Sequence, residues 1–159
     1  MSATAPVAEP TPGQERFRRI LLASEGRPIP PAAVARVVEL AEPGANVRVF
    51  TVARIHGTAF GMPSPGLMPN KKEWAEQRDI VSKTIKRLER KGLAASGHVL
   101  GTRNAWKKIV QEAKKEACEA IVMAADPDRN RVTGNAMWSQ EPQRVRRRAK
   151  VPVYLVVDD

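Results

Sequence analysis

The chain has 159 residues, 42% of them hydrophobic, a net charge of +10 and a single cysteine. That size and composition fit one folded domain with its own core and exclude a wholly disordered polymer. Apolar runs such as Ile20–Ser24 and Val151–Val157 fall far short of the roughly 20 residues of a membrane-spanning helix, no secretory signal pattern leads the chain, and Cys118 alone cannot close an internal disulfide.

Residues 1–15 are rich in Pro, Ala and Thr and lack apolar periodicity, so they read as a disordered tail before a domain at 16–159. Arg18–Ser24 (RRILLAS) is a short apolar run between charges, the pattern of a strand buried on both faces. Pro28, Pro30 and Pro31 open a helix at positions where a missing N–H does no harm. Val34, Val37, Val38 and Ala41 share one face of it, and Pro43-Gly44 ends it. Asn46–Ala53 (NVRVFTVA) alternates and is rich in β-branched residues, as a second strand should be. His56–Asn70 is broken by Gly57, Gly61, Pro63, Pro65, Gly66 and Pro69 and reads as a long loop.

Lys71–Lys91 carries Trp74, Val81, Ile85 and Leu88 at helical spacing, and Gly92 supplies a stop. His98–Gly101 reads as a short third strand. Asn104 is placed to cap a helix reaching Ala117, with Trp106, Ile109, Val110 and Ala113 turned inward. Ala120–Ala125 (AIVMAA) is a fourth buried strand. After a polar loop, Ser139 is placed to cap a last short helix with Glu141 and Pro142 in its first turn, and Val151–Val157 (VPVYLVV) is the fifth strand. Such alternation implies right-handed crossovers and a parallel sheet covered by helices on both faces. Ligands then sit beyond the carboxyl ends of the strands at the switch point, here after Ser24, Val52 and Met123, so the loop from Met123 to Gln140 is the functional end.

Charge is uneven along the chain. Residues 1–70 carry 7 Lys/Arg against 5 Asp/Glu, and residues 71–159 carry 20 against 12. Lys83–Lys91 reads as the solvated side of an amphipathic helix. Arg144–Lys150 is denser: Arg144, Arg147 and Arg148 share one helical face, and Arg146 falls with Lys150 on another. Five cations in seven residues exceed what complementing a helix C-terminus uses, so this segment is an expected grip for nucleic acid, a ribosomal surface or an acidic protein. His56 and His98 have no cysteine or acidic companions at metal spacing, and no Gly-x-Ser-x-Gly elbow is present. Cys118 reads as a small buried residue. No catalytic residue and no metal ligand is therefore expected, in a cytoplasmic, reducing setting.

Three segments, RRILLASEG, EAKKEACEAIVMAA and RRRAKVPVYLVV, make residues 16–159 resemble the universal stress protein family. The resemblance implies an α/β, Rossmann-like three-layer sandwich whose five-stranded parallel sheet runs in the order 3-2-1-4-5. One branch of that family binds ATP through Gly-x2-Gly-x9-Gly-(Ser/Thr) after the fourth strand, where glycine backbone and a helix N-terminus meet the phosphates. The corresponding positions here are Ser24, Glu25, Val52, Ala124, Ala125, Arg129, Arg131, Gly134, Ser139 and Gln140. Ala124 stands where the first glycine belongs, Ser139-Gln140 replaces the Gly-Ser pair, and Glu25 replaces an aspartate. Asp126 and Asp128 would repel a triphosphate, while Arg129, Arg131 and the amides near Ser139 would hold one. The favoured expectation is a non-enzymatic regulatory protein of stress-response type with a remodelled site and no cofactor. The alternatives are a competent binder of ATP or another adenine nucleotide, and a basic accessory protein on an anionic assembly. Trp74 and Trp106 are expected in the core, and Trp138 is expected to fill the space an adenosine would take. The resemblance also implies a homodimer through antiparallel pairing of the last strand, by Val151, Val153, Leu155 and Val157.

Overall fold

The apolar run that starts at Phe17 becomes the middle strand of a five-stranded parallel sheet. The computed structural model describes residues 16–54, 58–59, 62–63, 71–126 and 140–157. The expected tail at 1–15 lies outside them. In chain order the elements are β1 (Phe17–Ser24), α1 (Pro31–Leu40), β2 (Ala41–Arg54), the two-residue strands β3 (Thr58–Ala59) and β4 (Met62–Pro63), α2 (Lys71–Arg90), β5 (Ala94–Thr102), α3 (Ala105–Lys115), β6 (Ala120–Ala125), α4 (Glu141–Arg148) and β7 (Val153–Val157). The sheet runs β5-β2-β1-β6-β7, which is the expected order 3-2-1-4-5 of its main strands. All its pairings are parallel.

Two apolar layers hold the sheet. Alternation along β1 sends Ile20 and Leu22 to one face and Leu21 and Ala23 to the other. The first face packs Val34, Val37 and Leu40 of α1 with Val81 and Leu88 of α2. The second packs Ile109 and Ala113 of α3 with Val145 of α4. Because helices cover both faces, β6 is buried at every position, which explains its unbroken apolar sequence. Each fully buried Leu, Ile or Val contributes roughly 1.5–3 kcal/mol. Gly97 on β5 lets α2 come close: a Cβ there would stand 2.1 Å from Val81 Cγ1.

Several local expectations shift. The first helix stops at Leu40, and Pro43-Gly44 lies within β2. Phe17 pairs with Ala41 but Arg19 pairs with Asn46, so the residues between them bulge out, with Gly44 at φ +74°. The third strand is longer than expected, reaching back to Ala94, because β5 pairs with β2 in unbroken register from Asn46↔Ala94 to Arg54↔Thr102. Asn104 makes no side-chain cap. Its own N–H bonds Thr102 Oγ1, and the orphan N–H of Trp106 in the first turn of α3 is satisfied by Glu141 Oε2 at 2.7 Å, from α4. The last strand begins at Val153, and Pro152 instead offers its carbonyl to the Ile121 N–H. The loop expected at 56–70 contains the antiparallel pair β3–β4. Trp74 is half-buried and lines a groove between α2 and β5 with His98, so it is not a core residue.

Candidate functional site

The chain runs from β1 to β2 and β5 on one side, then crosses to β6 on the other side of β1. The crevice of an open α/β sheet therefore opens beyond the carboxyl ends of β1 and β6. Ala23 pairs with Met123, so Ser24 and Ala124 stand side by side one step further on. Glu25 follows Ser24, and Asp126 follows Ala125. The structure thus brings together Ser24, Glu25, Ala124 and Ala125 from the expected set. Ser24 Oγ donates to the Arg27 carbonyl and accepts from the Gly26 N–H at 3.2 Å, which folds the β1–α1 turn back on itself.

The dominant feature is a residue the sequence reading passed over. Arg27 reaches from this turn across the crevice. Its Nε and Nη2 donate to both Glu25 oxygens at 2.9 and 3.1 Å, and its Nη1 and Nη2 donate to both Asp126 oxygens at 2.9 and 3.1 Å. Glu25 is 2% exposed and Asp126 9%. Burial works against the guanidinium charge, but the hydrogen bonds Arg27 donates to Asp126 and the charge of Glu25 outweigh it, so Arg27 holds its proton more tightly than in water. The Arg27 guanidinium thus serves two carboxylates at low local dielectric, where opposite charges attract strongly. The sequence signal was the charge pattern Glu25-Gly26-Arg27. Its second partner is 99 residues away and carried no local signal.

Beneath the clasp, Gln77 of α2 donates its amide to the Gly26 carbonyl at 3.0 Å and so ties α2 to the turn. Its Oε1 is buried without a partner among the described residues, as is the hydroxyl of Thr51, the register partner of Ser24. These two groups have unused hydrogen-bonding capacity on the α1–α2 side of the sheet. The Val52 side chain is fully buried in the layer under α3, so its backbone is the part that can face the crevice. Gln140 is exposed and acts through its carbonyl, which accepts the Arg144 N–H at 3.1 Å. Arg129, Arg131, Gly134, Asp128, Ser139 and Trp138 lie outside the described residues.

Away from the crevice, no group of metal-ligating side chains forms among the described residues. His98 stacks on Phe50 with ring centroids 5.8 Å apart. Cys118 is buried, and desolvation, reinforced by the charges of Glu116 and Glu112, pushes its thiol up to about 11. No described helix is long and apolar enough to cross a membrane.

The universal stress protein family profile matches residues 16–157. A protein of that family from Burkholderia pseudomallei superposes with a TM-score of 0.62 at 19% identity, covering 88% of this chain and 96% of its own. UspA from Lactobacillus plantarum gives 0.67 at 15%, covering 89% and 98%. The Archaeoglobus fulgidus universal stress protein, in complex with dAMP, gives 0.61 at 16%, covering 88% and 98%. At these identities the likeness carries the fold. No match is found among curated proteins.

Proposed function

The chain belongs to the universal stress protein family, and on that premise we propose that it is a non-enzymatic regulatory protein whose nucleotide crevice has been rebuilt around a charge clasp and takes no ATP. The clasp of Arg27 with Glu25 and Asp126 carries this reading. A triphosphate entering between β1 and β6 meets two carboxylates, and the Arg27 guanidinium beside them is already bidentate to both. Ala124 adds a Cβ where the resemblance places a glycine. The described residues therefore do not fit a phosphate chain. Thermal unfolding with millimolar ATP or AMP and magnesium tests the proposal. A ligand at a hundred times its dissociation constant would add about 2.7 kcal/mol, a rise of roughly 8 °C for a domain of this size. We expect no rise; a rise of that order overturns the reading.

The second reading, a competent adenine-nucleotide site, draws on the dAMP complex of the Archaeoglobus fulgidus relative. It requires Arg27 to leave Asp126 and turn to the phosphate. The same titration decides between the two.

The working unit we propose is a homodimer. β7 is a sheet edge with only partly buried residues, and Val157 at its end is 47% exposed. An open apolar edge favours pairing with a second copy. Light scattering at micromolar concentration should give twice the 17.5 kDa of the chain; a monomeric mass refutes it. A cytoplasmic location is consistent with the single, free Cys118.

A further inference from the structure

We propose that the outer face of α3 and α4 is a docking surface for the phosphate backbone of a nucleic acid. The two helices cover one side of the sheet and touch each other: Glu141 of α4 accepts the Trp106 N–H of α3, and the Arg148 guanidinium lies 5.6 Å from the Trp106 ring centroid. The buried positions are Ala105, Ile109, Glu112 and Ala113 of α3 and Pro142 and Val145 of α4. At 100° per residue, Lys107 and Lys114 fall on the outer flank of α3 that adjoins α4. Arg144 and Arg148 fall on the flank of α4 that adjoins α3, and Arg147 points straight out opposite Val145. All five are exposed.

Of these charges, Arg144 pairs with Glu141 at 3.2 Å, and the other four make no ion pair among the described residues. Glu112 is buried against Arg48 at 3.0 Å, Glu116 lies 3.8 Å from the same Arg48, and Glu141 is engaged by the Trp106 N–H and by Arg144 at 3.2 Å. Lys107, Lys114 and Arg147 make no ion pair among the described residues. The α2 helix is different. It also carries many cations, but Asp79, Glu73, Glu76 and Glu89 are interleaved with them, and Lys83 pairs with Asp79 at 2.9 Å.

The chemistry of the partner follows from what the surface lacks. Among the described residues the exposed large apolar side chain is Val157, on β7. A membrane surface is held by an inserted apolar face as well as by charge, and a protein partner by a buried apolar centre. A face of five cations without either fits a ligand made of regularly spaced anions. The half-buried indole of Trp106, already under a guanidinium, lies at the foot of the patch, where a base can approach it.

Fluorescence anisotropy with labelled U20 RNA and T20 DNA strands tests this, with vesicles containing anionic phosphatidylglycerol as a third probe. Five phosphate contacts on a single strand predict a log–log salt slope of about −3.5, so affinity falls about 130-fold between 50 and 200 mM salt. Lys107→Gln, Lys114→Gln and Arg147→Gln together should leave two contacts, a slope of about −1.4 and a fall of only about sevenfold. The matched triple on α2, Lys83→Gln, Lys86→Gln and Arg90→Gln, removes the same charge from exposed positions and should leave the slope unchanged. Binding of either strand with this pattern supports the surface, and the tighter strand names its source. Equal loss in both triples, binding to vesicles without binding to either strand, or no binding at 50 mM salt each overturns it.

Discussion

Replacing Arg27 by methionine keeps most of the side-chain volume and removes the charge that two buried carboxylates share. Glu25 and Asp126 stay where the backbone of β1 and β6 puts them, at 2% and 9% exposure, now without the Arg27 cation between them. Deleting one partner of a buried ionic group costs about 3–5 kcal/mol, mostly from the stranded charge. The Arg27 side chain keeps 21% of its surface in water, which sets the expectation at the lower end, about 3 kcal/mol. For a domain of this size that is a fall of roughly 10 °C in Tm. Adding Glu25→Gln and Asp126→Asn in the same chain removes the stranded charges and should recover at least half the loss, since an uncharged replacement of a whole buried ion cluster is often near neutral. Urea unfolding at pH 7, with calorimetry for Tm, reads both steps. If Arg27→Met unfolds within about 1 kcal/mol of the parent, or the triple variant recovers nothing, the clasp does not hold the crevice as described.

Gly97→Ala should cost about 1–3 kcal/mol by overpacking, because the new methyl would meet Val81 Cγ1 at 2.1 Å and Ile85 Cδ1 at 3.0 Å. Val81→Ala in the same chain should make room, so a double-mutant cycle should show coupling of about 1 kcal/mol, and strictly additive costs would refute the contact. Cys118, with its thiol at about 11, should alkylate with iodoacetamide about two hundred times more slowly at pH 8 than free cysteine. Its rate should rise about tenfold per pH unit up to pH 10, as the thiolate fraction grows; a rate within tenfold of the free amino acid at pH 8 would contradict the burial.

The sheet was legible because its signals are local. Buried parallel strands must be short apolar runs, and RRILLAS, NVRVFTVA, AIVMAA and VPVYLVV are such runs separated by amphipathic helices. Reading errors came where a distant residue decided a local question. Asn104 has the composition of a cap, but Glu141 reaches the helix start first. Pro43-Gly44 has the composition of a helix stop, but it lies within β2, in a bulge set by pairing with β1. Trp74 fits the apolar spacing of α2, yet lies where the helix passes the sheet edge. Topology places a crevice beyond β1 and β6, and Ser24, Glu25, Ala124 and Ala125 lie together at those strand ends. Its chemistry was not legible. Asp126 in sequence is a free negative charge, whereas in the fold it is half of a clasp with a residue from the other end of the chain. The same limit hid the side-chain burial of Val52, which follows from which face of β2 lies under α3.

The clasp also has a history during synthesis. Arg27 and Asp126 are 99 residues apart, and β1 borrows one of its two neighbours, β6, from near the end of the chain. A nascent chain can pair β1 with β2 early, but the other edge of β1, with Leu21 and Ile20, stays open until residue 125 has emerged. At 5–20 residues per second, the stretch from the end of β2 to the end of β6 takes about 4–14 s to make. For that interval the central strand of the sheet has an unpaired side and no crevice beside it. Closing that gap makes the Arg27–Asp126 contact a late reporter of a finished domain, and makes the half-built sheet the species that chaperones would meet.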